Sequence, residues 1–194
     1  MTEEYEYTQD WFHWAPEVWE KITPILPGRK AFLELGSFEG RAAVWIVENM
    51  MEDGGVITCV DTWAGGAEHT EVSLVGAEDR FDKNIALVKE LHPNKDVISV
   101  KGTTYLALKH MSEGTLFDFI YIDASHEAKD VMTDGCMAWP LLKAGGVMVF
   151  DDYLWGQPRD VLFRPKIAVD AFTTMFAEEL SIVHVGYQFI VKKN

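Results

Sequence analysis

The stretch AFLELGSFEGRAAVW, residues 31–45, decides how the rest of the chain is read. Ala31 to Leu35 is an apolar run of strand length, Gly36 to Gly40 is a short turn bounded by glycines, and Ala42 to Met50 continues with the 3.6-residue period of a helix. A strand that passes through a glycine turn directly into a helix is the opening unit of a doubly wound sheet. In such sheets ligands lie beyond the carboxyl ends of the strands. Glycines at 36 and 40 allow backbone to approach a ligand closely.

Outward from this unit the pattern alternates. Strands are predicted at Val56–Val60, Val97–Val100, Phe117–Ile122 and Val147–Phe150, separated by helices near Phe81–Leu91, Tyr105–Met111 and His126–Leu142. After a helix at Ala168–Leu180, two strands at Ile182–Val185 and Gln188–Val191 are so close that only a hairpin joins them. The expected fold is α/β: a doubly wound, Rossmann-like, mostly parallel seven-stranded sheet closed by an antiparallel hairpin. It is read as one domain, 1–194, with a helical extension at 1–27 ahead of a core at 28–194. In the extension Trp11, Trp14, Val18 and Trp19 fall at helical spacing, with Pro16 near the front and Pro24 and Pro27 behind. That aromatic stripe fits core or sheet-covering surface, and also a substrate wall.

Composition narrows the function classes. A net charge of −14 repels polyanions, so nucleic acid and anionic membranes are not the expected partners. The acidic start lacks a signal-peptide pattern and no apolar run reaches bilayer-spanning length, which makes cytoplasmic residence the expectation. Cys59 and Cys136 stand among apolar neighbours in no CxxC or metal-like spacing and read as two buried free thiols.

The strand ends carry the candidate chemistry. A dinucleotide loop would have glycine where Phe38 stands, so the G-x-x-x-G spacing argues against NAD. Glu34 could accept hydrogen bonds from a ligand amino group. Asp61, about twenty residues beyond the loop, sits where a carboxylate clasps both ribose hydroxyls. After the third strand, Thr103 or Thr104 either faces a base or caps the next helix. Asp123 and the pair Asp151-Asp152 emerge on one rim. Such acids repel one another unless a cation, protonation or basic neighbours compensate, and their hard oxygens suit Mg²⁺. The alternative is a loop-ordering Asp123 with solvated turn acids at 151 and 152. His126, three residues after Asp123, fits a general base for a substrate hydroxyl or a helix-start residue. No His-x-Asp facial set for iron is evident in the sequence.

Taken in order, LELGSFEGRAAVW (33–45), CVDTWAGG (59–66), FIYIDASH (119–126), LLKAGGVMVFDDY (141–153) and IAVDAF (167–172) resemble class I methyltransferases of the methyltransferase-24 group, from about residue 31 to the end. The resemblance implies S-adenosylmethionine as cofactor. Its implied binding set is Glu34, Gly36, Ser37 and Gly40 from the first loop, and Asp61, Thr62 and Trp63 from the second. Gly102 and Thr103 follow from the third loop and Asp123 from the fourth. The chain is also similar to metal-dependent O-methyltransferases of catechol and macrolide-sugar type, which implies Mg²⁺ held by Asp123, Asp151 and Asp152. His126 stands where the catechol-type enzymes carry a lysine base, so the implied catalytic pair is His126 with Asp123. The implied acceptor is a small molecule, since no second domain or basic groove is present to hold a macromolecule. The tryptophans near the N-terminus offer anchors for a homo-oligomer. A non-catalytic nucleoside-binding module, or a family member with different chemistry, is the competing reading.

Overall fold

The computed structural model describes residues 4–66, 74–111, 114–156 and 160–194. Its sheet has seven strands: β1 (Ala31–Leu35), β2 (Val56–Asp61), β3 (Asp96–Lys101), β4 (Phe117–Ile122), β5 (Leu142–Phe150), β6 (Leu180–Val185) and β7 (Phe189–Lys193), in the order β3-β2-β1-β4-β5-β7-β6. The first five are parallel. β7 lies antiparallel to both β5 and β6, so the chain lays down the edge strand first and returns through the hairpin into the remaining slot.

Central strands are apolar on both faces because helices cover both, and every residue of β4 is buried. Alternate side chains divide between two cores. On one face Phe32, Ile57, Phe119 and Val149 meet α1 (Ala15–Ile22), α2 (Arg41–Trp45) and α3 (Ala77–Leu91). On the other, Leu33, Ile120, Met148 and Val191 meet α4 (Thr104–His110), α5 (Ala128–Ala138) and α6 (Pro165–Met175). Sequence and structure agree on the doubly wound, antiparallel-closed architecture.

The boundaries differ where glycine and proline act. The helix expected to run to Leu142 ends at Ala138, because Pro140 sits in a 3₁₀ turn and β5 begins at Leu142. The start of that strand was hidden by Ala144-Gly145-Gly146. There the pairing with β4 shifts from Phe117↔Leu142 to Phe119↔Val147, with Gly145 at φ +76°. α6 starts three residues earlier than expected, at Pro165, since proline is pre-organised for a first helical turn. α2 passes into a π-helical turn at Ile46–Met50. Part of the connection between β2 and α3, residues 67–73, lies outside the described residues. No described helix is long and apolar enough to cross a membrane.

The aromatic stripe of α1 divides. Trp19 is fully buried, its ring edge-on to Phe119 and Tyr121 at 5.2 and 4.9 Å, and its Nε1 donates to Gln188 Oε1 at 2.8 Å. Cys59 is buried and Cys136 half-buried, both as free thiols. Replacing Trp19 by Ala removes a whole core ring and leaves the Gln188 carbonyl without its donor. Trp19→Ala is expected to lower unfolding free energy by about 3–5 kcal/mol in a urea titration, and Trp19→Phe, which keeps most of the ring, by clearly less.

Candidate active site

The site begins with a close approach. Gly36 has φ +90°, and a Cβ there would lie 2.0 Å from the carbonyl oxygen of Asp123, so only glycine fits. Backbone bonds hold the contact: Gly36 N donates to Val60 O and Asp123 N to Leu35 O, both at 2.8 Å. The glycine turn and the turn after β4 are therefore one continuous surface. Gly40, at φ +77°, starts α2 and abuts Phe81.

Asp61 fastens the turn from the β2 side. Its Oδ2 accepts from Ser37 N at 2.7 Å and Phe38 N at 2.8 Å, and its Oδ1 from Trp63 N at 2.7 Å. A carboxylate offers about four acceptor positions, so holding the loop takes much of its capacity. Thr62 Oγ1 accepts from Ala64 N at 3.1 Å. The Trp63 indole donates to Phe38 O at 2.8 Å, and its ring packs on Phe81 at 4.9 Å. Thr103 caps α4, its Oγ1 accepting from Leu106 N at 3.3 Å, while also facing the cavity.

A cavity of about 830 Å³ joins these loops to the acidic rim, toward the upper end of the about 300–1,000 Å³ usual for small-molecule sites. Glu34, Ser37 and Asp61 line one part and Asp123, His126 and Asp152 another. Phe38, Trp63 and Asp152 are the non-glycine residues with positive φ among those described, and all three line it. Such strain, about 1–3 kcal/mol each, persists where surrounding contacts over-determine the backbone, and it concentrates at functional sites.

Some of the wall was not foreseen. The Glu39 carboxylate, 2% exposed, accepts from Thr8 N and Thr8 Oγ1 at 2.7 Å and pairs with Arg80 at 2.6 Å. Asn84 accepts from Glu6 N at 2.8 Å and donates to Glu6 O at 2.9 Å and Glu39 O at 2.8 Å. These contacts bring Tyr7, Trp11 and Trp14 onto the cavity wall, with Trp11 stacked on Phe38 at 5.3 Å. Part of the aromatic stripe is thus a wall and Trp19 is core.

The acids arrange themselves differently from the expected trio. Asp123, His126 and Asp152 each present a ligand atom, all within 4.8 Å of one another, and His126 Nε2 lies 2.6 Å from Asp152 Oδ2. All three were singled out in the sequence, but the cluster pairs Asp123 and Asp152 with His126, where Asp151 was expected as the third member. Asp151 turns inward instead: its Oδ2 accepts from Gln188 Nε2 at 2.9 Å and meets the Tyr121 hydroxyl, and its Oδ1 accepts from Asp152 N at 2.7 Å. Tyr121 also reaches Asp123 Oδ2 at 2.9 Å. A phenol has one proton, so the two contacts are both satisfied only if one carboxyl brings its own. The electrostatic surroundings point the same way. Burial, then the charges of Asp151 and Asp152, push Asp123 well above the carboxylate range. Burial pushes Asp151 up to about 6 and Glu34 up to about 7.

Comparison with known proteins gives this arrangement a family. Residues 33–153 match the Methyltransf_24 family, described as a methyltransferase domain, and the chain belongs to it. No protein of curated function matches the sequence. Among solved structures, an O-methyltransferase from Bacillus cereus in complex with S-adenosylhomocysteine superposes with TM-score 0.68 at 17% identity, covering 98% of this chain and 84% of that one. The O-methyltransferase TomG from Streptomyces achromogenes, involved in tomaymycin synthesis and solved with S-adenosylmethionine, gives 0.65 at 17%, covering 92% and 79%. At these identities the likeness establishes a shared fold.

The raised acids set a pH dependence. Asp151 and Glu34 each hold the proton more tightly folded than unfolded, so their stabilisation is complete below the ordinary value near 4 and disappears as pH rises through about 6 for Asp151 and about 7 for Glu34. In EDTA the melting temperature is expected to fall between pH 5 and pH 8, by about 2–4 °C per kcal/mol lost. Asp151→Asn, which cannot ionise, should flatten that fall in a pH series of thermal melts.

Proposed function

We propose that this methyltransferase-family protein transfers the methyl group of S-adenosylmethionine to a hydroxyl oxygen of a small molecule, in the cytoplasm, assisted by a divalent cation. The observation that carries the reading is the Gly36–Asp123 contact, which puts the cofactor-type glycine loop and the His126–Asp152 pair in one cavity.

The residues fit the cofactor. Glu34 Oε2 is buried without a partner, an acceptor suited to an ammonium group, and a cation opposite it would offset the cost of its burial. The Gly36–Gly40 turn offers close backbone approach, and Asp61, at the end of β2, would accept from ribose hydroxyls in addition to the amides it already holds. When bound, S-adenosylmethionine supplies an electrophilic methyl group on sulfur.

The donor set also fits a hard cation. Asp123 and Asp152 would hold Mg²⁺ through oxygen, relieving their mutual repulsion, and the ion there would lower the pKa of an acceptor hydroxyl. Asp152 orients the His126 imidazole, and His126 takes the hydroxyl proton. Asp151, Tyr121 and Gln188 hold Asp123 in place from below. The cavity walls position the acceptor in line and exclude water. The charge of −14 speaks against a polyanionic acceptor, and two free cysteines fit a reducing compartment.

Calorimetric titration with S-adenosylhomocysteine, with Mg²⁺ and then with EDTA, tests the cofactor. Wild type is expected to bind, Asp61→Ala to bind at least about tenfold more weakly, and Asp123→Ala to retain binding; a wild type that binds nothing refutes the reading. With an acceptor in hand, His126→Ala should lower kcat by about 10²–10⁴ and leave S-adenosylhomocysteine affinity unchanged.

A further inference from the structure

The inward turn of Asp151 changes what the acidic rim can hold. Both of its oxygens are engaged, Oδ2 by Gln188 Nε2 at 2.9 Å and by the Tyr121 hydroxyl, and Oδ1 by Asp152 N at 2.7 Å. Asp123 and Asp152 are then the two carboxylates left to face a cation. The third group that meets them is an imidazole. Asp123, His126 and Asp152 each offer a ligand atom within 4.8 Å of the other two, and His126 Nε2 is 2.6 Å from Asp152 Oδ2.

The loop between β4 and α5 fixes this imidazole. Ser125 Oγ donates to Asp130 at 2.9 Å and accepts from Glu127 N at 3.2 Å, so the backbone is held on both sides of His126. The Trp155 ring lies against the imidazole with centroids 4.1 Å apart. The His126 and Asp152 side chains are each 17% exposed and open on the cavity. A dication among two carboxylates and one neutral imidazole leaves no net charge on the set, which lowers the cost of holding it away from bulk water. The imidazole also changes the choice of ion. Carboxylate and water suit Mg²⁺, whereas imidazole is the better ligand for divalent transition ions, with affinity rising from manganese toward copper.

We infer that His126 is the third protein ligand of the cation, and that the site takes a divalent transition ion in preference to Mg²⁺. The inference rests on the divalent-cation reading given above. One nitrogen lone pair cannot hold an ion and take a proton together, so His126 serves the ion while the acceptor is absent and the acceptor hydroxyl when it is present.

The test uses the full chain without an affinity tag, saturated with S-adenosylhomocysteine. Loaded with Mn²⁺, wild type is expected to show nitrogen-14 modulation in pulsed electron paramagnetic resonance, and His126→Ala to lose it. In calorimetry with Co²⁺ and with Mg²⁺, wild type should prefer Co²⁺ strongly, and His126→Ala should weaken Co²⁺ by at least about tenfold while changing Mg²⁺ by about threefold or less. Unchanged affinity of the variant for S-adenosylhomocysteine shows that it is folded. Mn²⁺ bound by wild type without nitrogen modulation overturns the inference, as does modulation that persists in His126→Ala. A Co²⁺ to Mg²⁺ ratio that the substitution leaves unaltered does so too, because a merely structural role would lower both affinities together. In each of these cases the divalent-cation reading survives, since an ion still binds. If wild type binds no divalent ion, both fall together, and the cofactor reading is judged separately by S-adenosylhomocysteine binding in EDTA.

Discussion

The site depends on a missing side chain. β1 and β4 are neighbours in register, Leu35 beside Ile122, and both chains turn off the sheet at the same level. The two turns can coexist only because position 36 carries no Cβ to meet the Asp123 carbonyl. From that contact follow the continuity of the cavity and the nearness of the glycine turn to the acids. Asp61 then ties the same turn to β2, so the loop is gripped from both neighbouring strands.

Beneath this surface, hydrogen bonds run from the N-terminal helix to the rim: Trp19 to Gln188, Gln188 to Asp151, and the Tyr121 hydroxyl between Asp151 and Asp123. The core side of the rim is satisfied by neutral donors, and its outer side faces the cavity. That division explains why adjacent acids behave so differently. Asp151 is buried and engaged, whereas Asp152, turned by its left-handed backbone, pairs with His126 on the cavity wall. Raised carboxyl groups in a cleft mark places where stability is given up for function.

Much of this was legible in the sequence because the signals are local. The glycine turn, the apolar strands and the acids at their ends lie within short windows whose period is diagnostic, and the closing hairpin followed from the spacing of its strands. Where local signals mislead, the causes are physical. Glycines 145 and 146 hid the first half of β5, and Pro140 cut a helix that apolar spacing extended to Leu142. Asp151 and Asp152 follow the last residue of β5, so strand alternation assigns neither of them. Which of them meets Tyr121 depends on the left-handed backbone at Asp152 and on Gln188 in the turn between β6 and β7, neither of which is a local signal. Glu39, Arg80 and Asn84 gave no local sign, because their partners in the N-terminal segment stand 31 to 78 positions away or across the turn.

The segment that Glu39 and Asn84 hold lies ahead of residues 33–153, the part of the chain matching its family, yet it supplies aromatic wall to the cavity. Were this segment to leave its place, the cavity would lose that wall, and ligand affinity would be linked to its docking. A ligand that touches Tyr7, Trp11 or Trp14 binds in proportion to the fraction of molecules in which the segment is docked. In return, its binding shifts that equilibrium toward the docked form. Selection acting on residues 5–14 could therefore tune occupancy of the site while leaving the family's shared chemistry unaltered.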